Sequence, residues 1–397
     1  MNPLTARRRD LALVFGALGT FFLSMSMLLP TLPLYVRDLG GSAIEVGLVV
    51  GVFSVGVLLA RPFVGRAVDT RGRRPVMLAG SLVAAAMAPF YIALTAFALL
   101  MAVRVIHGAG LSAFTSASTT LVTDLSPPER RTEYLGYLST SSIVAFAAGP
   151  ILGIEIAARL GYGALFAAIS LCALLSAGCG ALLSRPARRP DDGPPIDYRA
   201  AILRREVLVP TASLLLVTLA HGGVFTFLPI LLEERLPFNF GLFFVAYAGA
   251  SLLVRLAAGR LSRRWGDGPM VWGGLAAYAA GMALLPAITG VGSMLASATL
   301  FGLGFGAYQP AVYGLVANAA SDRTRGMVFS VFLGAFDLGI ALGGLVSGPI
   351  VARVGIPALM LALAVVPLAS AALFVAILGW QPDPSAATTP CEASVPS

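Results

Sequence analysis

The sequence is poor in charged residues, and it contains no lysine. Of its 397 residues, 12% are charged and 57% are hydrophobic, whereas about a quarter of the residues of an ordinary soluble domain are charged. This composition excludes an ordinary soluble domain. Without lysine, the chain also cannot form a Walker-type loop, in which a lysine contacts the nucleotide phosphates, so we expect no ATP hydrolysis.

Cysteine and histidine are scarce as well, with three cysteines and two histidines. Cys172 and Cys179 fall in one predicted helix, where their spacing places them roughly 10 Å apart along the axis, too far for a disulfide bond. The two histidines are far apart in the sequence, and no cluster has the spacing of metal ligands. We therefore expect no metal, no cofactor and no enzymatic activity.

Long apolar runs are what the sequence has in abundance. About twelve runs of roughly 20 residues have the length needed to cross about 30 Å of hydrocarbon. Each is predicted to be a helix, because backbone groups in lipid must be hydrogen-bonded internally. The first run is longer than a signal-peptide core, so it is retained as helix 1. The predicted helices are 11–36, 43–64, 75–97, 98–123, 134–157, 163–184, 207–232, 240–261, 270–289, 293–318, 327–352 and 357–379.

The arginines are distributed unequally over the connections between these helices. The N-terminus and every second connection carry most of them, and the remaining connections carry four, which are Arg37, Arg159, Arg235 and Arg353. Because cytoplasmic loops are enriched in basic residues, both termini are predicted to be cytoplasmic. The net charge of +8 then mostly reflects this topology in a lipid bilayer. Nucleic-acid binding is not expected, since the basic residues are scattered over several short loops.

A basic segment recurs halfway along the chain. Residues 58–75 are LLARPFVGRAVDTRGRRP, and residues 252–266 are LLVRLAAGRLSRRWG. A constant interval of 194 relates them, as 255 − 61 and 266 − 72 both give. An interval near half the chain length predicts two similar halves. The matched pairs are Arg61 with Arg255, Gly65 with Gly259, Arg66 with Arg260, and Gly72 with Gly266.

The pattern G-x-x-x-D-x-x-G-R-R at 65–74 resembles the cytoplasmic loop between helices 2 and 3 of the major facilitator superfamily (MFS) of transporters. The resemblance covers about residues 10–380. It implies an all-α membrane protein with 12 transmembrane helices in two pseudo-repeated six-helix bundles. It also implies a multi-pass protein of a bacterial inner membrane, and we expect a monomer.

This architecture divides the chain into two bundles and two polar segments. The linker is rich in Pro, Gly and charge, and the tail, which holds Cys391, is rich in Pro, Ser, Ala and Thr and is expected to be disordered. The predicted units are an N-terminal bundle at 1–184, a cytoplasmic linker at 185–206, a C-terminal bundle at 207–380 and a cytoplasmic tail at 381–397.

The resemblance assigns gating roles to the loop after helix 2. In the family, the acid that matches Asp69 contacts the start of helix 11, which is near Gly326 in this sequence, and favours the outward-open state. The positive N-terminus of a helix suits such a carboxylate, and Arg73 is expected as a further partner. Gly65 and Gly72 supply small, flexible positions for a tight turn between two helices.

Helix 5 adds two further gating candidates. Its segment AFAAGPILG, at 145–153, resembles the G-x-x-x-G-P-x-x-G-G motif of MFS antiporters, and the motif favours export. Gly149 allows close contact with another helix, and Pro150 adds a bend. Such packing would seal the membrane while the two halves rock against each other.

Four ionisable residues within predicted helices are candidates for proton coupling. Arg104 and His107 lie on one face of helix 4, where R-x-x-x-G resembles the pattern of proton-coupled MFS exporters. Glu155 of helix 5 lies at a depth not far from that of Arg104, so the two could pair. Asp337, in an FDLG segment that also resembles bacterial exporters, lies near the bilayer centre and must be protonated or partnered, because an isolated buried charge is expensive. The alternatives are a neutral hydrogen-bonded His107, a Glu155 that reaches water, and a structural hydrogen bond for Asp337.

Helices 7 and 10 hold candidates for a substrate cavity. His221 and Phe225 flank paired glycines in helix 7, and Tyr308, Gln309 and Tyr313 are the polar groups of helix 10. The Gly-x-Gly spacing of helix 10 does not indicate a dinucleotide site, because no strand precedes it.

Together these features predict a proton-coupled antiporter that exports small, partly apolar compounds of the multidrug type by alternating access. One alternative is export of a specific metabolite or siderophore, and another is proton symport of a sugar or organic anion. The charge of the cavity distinguishes them: an acid-dominated cavity favours cations, whereas an unpaired Arg104 favours anions.

Overall fold

The computed structural model describes residues 3–126, 131–184, 203–320 and 325–378, and its regular elements within these ranges are helical. The predicted tail and most of the predicted linker lie outside the described residues. Ten helices in these ranges are long and apolar enough to cross a membrane, where the sequence predicts twelve. They are α1 (Pro3–Asp38), α2 (Ala43–Arg71), α3 (Arg73–Ala93), α4 (Phe97–Leu125), α5 (Arg131–Ala181), α6 (Arg205–Arg235), α7 (Leu242–Trp265), α8 (Asp267–Leu284), α9 (Val291–Ala319) and α10 (Arg325–Leu378).

Two of these helices contain a break. Each of α5 and α10 includes two predicted helices, and the backbone is non-helical at Gly161 (φ 82°, ψ 170°) and at Gly355 (φ 80°, ψ 168°). Positive φ values also occur at Gly72, between α2 and α3, and at Gly266, between α7 and α8. Glycine adopts such angles without steric cost. Both pairs are 194 residues apart (266 − 72 and 355 − 161), so the interval found in the sequence recurs in the backbone.

The turn after α2 is shorter than predicted. Helix α2 continues to Arg71, and Gly72 alone separates it from α3. Gly65 and Asp69 therefore lie on the last turns of a helix and not in a loop. The physical reason is that the positive φ of Gly72 reverses the chain within one residue, so the preceding residues remain helical.

Glycines also allow helices to cross in backbone contact. A Cβ atom added to Gly108 of α4 would overlap the carbonyl oxygen of Phe53 in α2. A Cβ atom added to Gly302 of α9 would overlap that of Tyr247 in α7. These two crossings are again related by 194 residues (302 − 108 and 247 − 53).

We call residues 3–184 the N-terminal part and residues 203–378 the C-terminal part, and we call the end of the bundle at which α1 ends the distal end. There the two parts meet where α2 crosses α10. A Cβ atom on Gly47 would lie 2.5 Å from the carbonyl oxygen of Gly344, and one on Gly348 would lie 2.7 Å from that of Ala43. We call this crossing the distal seam, and its glycines bring the two backbones together.

Replacing Gly108 with alanine tests the importance of these crossings. We expect Gly108→Ala to destabilise the protein by about 1–3 kcal/mol, because the added methyl group forces α4 away from α2. The measurement is the melting temperature of the purified protein. Gly19→Ala is the matched control, since no atom lies within 4 Å of its added Cβ. Equal melting temperatures for the two variants would contradict a tight crossing at Gly108.

Candidate functional site

A cavity of about 330 Å³ lies between the N-terminal and C-terminal parts. Helices α1, α2, α4 and α5 line it on one side, and α6 and α10 on the other. Its charged lining residues are Arg104 and Asp337. Its aromatic lining residues are Phe22, Phe53, Phe146, Phe225 and Phe336. Aromatic walls with a few polar groups are typical of small-molecule sites.

Asp337 lines this cavity and is paired with Arg61, which lies on α2 in the other part of the chain. The Arg61 Nε atom lies 2.7 Å from Asp337 Oδ2, and a terminal guanidinium nitrogen donates to the same oxygen. The Asp337 side chain is 14% exposed. The expectation that this acid is protonated or partnered is confirmed, and the partner is one that sequence analysis did not assign. The position of Arg61 within a predicted helix was the available indication.

Arg104 is the second charge of the cavity wall, and it is 7% exposed. Its Nε donates to the Val49 carbonyl oxygen at 3.2 Å, and its guanidinium carbon lies 4.1 Å from the centre of the Phe53 ring. The predicted pairing with Glu155 is wrong. Among the described residues, Arg104 forms no ion pair with any carboxylate.

Glu155 lies farther towards the distal end. It pairs with Arg159 one turn later and accepts a hydrogen bond from Asn239 Nδ2 at 3.1 Å. The α5 residues that line the cavity are Ser142 and Phe146, and Glu155 is nine residues, roughly 13 Å, beyond Phe146, the nearer of the two. That distance along the helix is the reason it does not meet Arg104. Because Asn239 belongs to the C-terminal part, Glu155 takes part in a contact between the two parts.

His107 lies behind the cavity wall. It is fully buried, its Nδ1 lies 2.9 Å from the Tyr91 hydroxyl, and its Nε2 has no hydrogen-bond partner within the described ranges. It does not line the cavity, although Arg104 does. Three helical residues correspond to about 300° of rotation, so the side chain is turned by about 60° from the direction of Arg104.

Two of the five predicted cavity residues line the cavity, and both lie on α6. His221 Nδ1 is 2.7 Å from the Tyr278 hydroxyl, and its ring stacks on Phe225 with centroids 4.2 Å apart. The α6 glycines that precede Phe225 bring this helix against α10, because a Cβ atom on Gly222 would lie 2.5 Å from the Ile340 carbonyl oxygen.

The three predicted residues of α9 do not line this cavity. Tyr308 is fully buried, and its hydroxyl lies 2.9 Å from Ser213 Oγ. Gln309 accepts a hydrogen bond from Arg255. Tyr313 packs edge-on against an aromatic ring of α10. Their polar groups are engaged within the C-terminal part, which hydropathy along the chain could not show.

The gating candidates of α2 are at its proximal end, opposite the distal seam. Asp69 and Gly65 are exposed, whereas Arg73 forms an ion pair with Asp124 of α4, with Nε and Oδ2 3.0 Å apart. The expected partnership of Arg73 with Asp69 is therefore corrected. Because α3 starts immediately after Gly72, the first residue of α3 faces α4 instead of the last turn of α2.

The gating candidates of α5 pack against α1. A Cβ atom on Gly149 would overlap the Ser26 hydroxyl, and Ser26 Oγ donates to the Ala145 carbonyl oxygen at 2.8 Å. Pro150, which follows, is buried. This segment therefore forms a close helix contact beside the cavity, since Ser26 also lines it.

The chain is similar in sequence to known proteins. A family model of the Major Facilitator Superfamily matches residues 14–267 and 236–392. Quinolone resistance protein NorA of Staphylococcus aureus is 31% identical over 133 residues, which is 33% of this chain and 34% of NorA. The match thus spans about a third of that relative. An MFS-type transporter of Salmonella typhimurium is 25% identical over 386 residues, covering 94% of this chain and 98% of the relative.

Solved structures share the fold at low identity. The nucleoside transporter NupG has a TM-score of 0.78 at 15% identity, covering 93% of this chain and 99% of its own. The human organic anion transporter MFSD10 has a TM-score of 0.67 at 20% identity, covering 94% and 100%. A bacterial homolog of the human lysosomal transporter Spinster, in an inward-facing conformation, has a TM-score of 0.75 at 16% identity, covering 96% and 100%.

The Arg61–Asp337 pair is testable by a double-mutant cycle. Arg61→Gln and Asp337→Asn each leave one charge without its partner, so we expect each to lower the melting temperature. The double variant should recover part of the loss, with a coupling of about 1–3 kcal/mol. Arg159→Gln, which breaks an exposed pair, is the control and should change little. Strictly additive losses would contradict a direct interaction between Arg61 and Asp337.

Proposed function

The chain belongs to the Major Facilitator Superfamily, and from that premise we propose that it is a secondary active transporter that exports small, partly apolar compounds in exchange for protons. One observation carries the proposal: an acid on the cavity wall, Asp337, is held by an arginine from the other part of the chain. A group that can bind a proton thus sits where the substrate site and the contact between the parts coincide. The partial match to a quinolone resistance protein supports export.

We assign twelve membrane-spanning helices by dividing α5 at Gly161 and α10 at Gly355. The two halves are then 1–184 and 207–380, joined by the linker 185–206 and followed by the tail 381–397. The recurrence of the 194-residue interval in the sequence, in the positive-φ glycines and in the helix crossings supports this division. The arginine distribution supports the assignment of both termini to the cytoplasm. We propose that the protein acts as a monomer in a bacterial inner membrane.

Alternating access follows from where the two parts touch. Within the described ranges, three polar contacts between them are at the distal end: Arg37 with Glu233 at 2.6 Å, and Asn239 with both Ile151 and the Glu155 carboxylate. Together with the distal seam they close that end, which is the periplasmic end in this topology. The conformation is therefore assigned as inward-facing. Export requires these contacts to separate. The gating candidates Asp69 and Arg73 at the end of α2 and start of α3, and the packing of Gly149 and Pro150 against α1, would guide the movement.

Proton coupling acts through the charge of Asp337. When its carboxylate binds a proton, the attraction that Arg61 exerts across the two parts is lost, since it depends on two opposite charges. The two parts are then free to change their relative orientation. Glu155, at the distal contact, and His107, behind the wall, are the remaining candidates for a proton site. Arg104 would influence the charge balance of the cavity.

Proton movement in reconstituted vesicles tests this function. With an imposed proton gradient, a lipophilic cation, an aromatic carboxylate, a siderophore-like chelator and a sugar are added in turn while lumenal pH is recorded. A transported compound should drive protons in the opposite direction, and Asp337→Asn should abolish that movement, because it removes the proton-binding carboxylate. Glu234→Gln, at an exposed acid of α6, should transport normally. Proton movement in the same direction as the compound would overturn antiport, and normal coupling in Asp337→Asn would exclude Asp337.

Separation of the distal contacts is testable by reversible cross-linking. In a background with Cys172, Cys179 and Cys391 replaced by serine, cysteines are placed at Ile151 and Asn239, whose backbone oxygen and side-chain nitrogen are 3.2 Å apart. A bifunctional thiosulfonate reagent should stop transport, and a reductant should restore it, because the parts must separate at this point. Each single-cysteine variant treated in the same way is the control. Full transport by the linked protein would contradict the proposed movement.

A further inference from the structure

The two charges of the cavity wall are compensated unequally. Asp337 is neutralised by Arg61. Arg104 has no carboxylate partner among the described residues. Counting Arg61 with the wall, two positive charges face one negative charge, so the cavity has an excess charge of +1.

The surroundings of Arg104 compensate its charge only in part. The residue is 7% exposed, and a buried charge requires a partner or good hydrogen bonds. Its neighbours are neutral: the Val49 carbonyl oxygen at Nε, the face of the Phe53 ring, and the Tyr91 phenol. The Val49 oxygen accepts from Nε, and the Tyr91 hydroxyl takes part in a second hydrogen bond with the guanidinium. Since a guanidinium carries five N–H donors, the terminal nitrogens keep donors for a further group. A carboxylate fits that end of the guanidinium with two parallel hydrogen bonds.

The rest of the cavity suits the apolar body of such an anion. Phe53 lies beside Arg104, and Phe146 and Phe225 continue the aromatic wall with ring centroids 6.0 Å apart. Offset and edge-on contacts with such rings favour a flat aromatic ligand. A lipophilic cation would need an acidic partner on this wall. The acid that lines the cavity, Asp337, is already paired with Arg61, so the cation would have to displace Arg61.

From these contacts we infer that the substrate is an organic anion, an aromatic compound with one carboxylate, and that Arg104 binds its carboxylate. The inference rests on the proposed transport function, since it gives the substrate class of the same cavity. Arg104 is then the residue that determines specificity for charge, and Asp337 remains the site of coupling.

Three compounds with one aromatic ring system test the inference: 2-naphthoate, 2-naphthamide and (2-naphthylmethyl)trimethylammonium. Their binding to the full-length protein in lipid nanodiscs is measured by calorimetry. We expect naphthoate to bind about tenfold or more tightly than the amide, because only the anion forms the charged pair with Arg104. The cation should bind most weakly. Equal affinities for acid and amide, tightest binding of the cation, or absence of naphthoate binding by the folded protein would overturn the inference.

Variants of the arginine separate charge recognition from folding. Arg104→Gln should weaken naphthoate binding about tenfold or more and leave amide binding unchanged, so the amide reports an intact cavity. Arg104→Lys should retain part of the preference for the acid, since it keeps the charge but not the paired nitrogens. Arg255→Gln is the control, because Arg255 is a second arginine within a predicted helix, bonded to Gln309 and absent from the cavity wall. Unchanged naphthoate affinity in Arg104→Gln would overturn the inference.

Binding and transport respond differently to failure of this inference and failure of the proposed function. Naphthoate binding that depends on Arg104 without any proton movement would support the inference and contradict the proposed antiport. Proton exchange driven by the lipophilic cation, with no binding of naphthoate, would support the transporter and contradict the inference.

Discussion

The ion pair between Arg61 and Asp337 is the contact on which the rest of this structure depends. It connects α2 of the N-terminal part to α10 of the C-terminal part, and its acid, Asp337, lines the cavity. In a medium of low dielectric constant, removing either partner of such a pair is costly, because it leaves the other charge without its counter-ion. The pair therefore favours the orientation in which these faces of α2 and α10 meet, and the glycines of the distal seam allow the same two helices to touch farther along.

The internal repeat shows which half of the Arg61–Asp337 pair has a counterpart elsewhere in the chain. Arg61 and Arg255 are 194 residues apart, so they occupy matching positions on α2 and α7, yet Arg61 contacts an acid and Arg255 contacts the amide of Gln309. The position that matches Asp337 in the N-terminal part is Ile143 (337 − 194). The acid is thus present on one side only. The matching arginines belong to the repeated scaffold, whereas the single acid adds chemistry to one side of it.

The sequence predicted a helical membrane protein, because hydropathy and length follow directly from the requirement to cross a bilayer. It also predicted that Asp337 requires a partner. It could not predict that the partner is Arg61, 276 residues away, because periodicity gives a face of a helix but not the helix opposite. The same limit explains the pairing assigned to Arg104 and Glu155. Arg73 was assigned to Asp69 because the two are close in sequence, whereas one positive-φ glycine turns Arg73 towards Asp124.

Coulomb's law links the substrate to the direction of coupling. Protonation of Asp337 removes a negative charge from the wall and leaves Arg61 and Arg104 both uncompensated, so a proton and an anion in the cavity favour each other, whereas a proton and a cation oppose each other. Exchange of an anion for protons therefore requires the anion and the proton to occupy the cavity at different times, in different relative orientations of the two parts of the protein. The Arg61 contact belongs to the distally closed orientation, in which Asp337 meets a positive partner and Arg104 has no carboxylate. An anion that enters this orientation then meets an ionised Asp337 already held by Arg61, and its charge is matched by Arg104 alone.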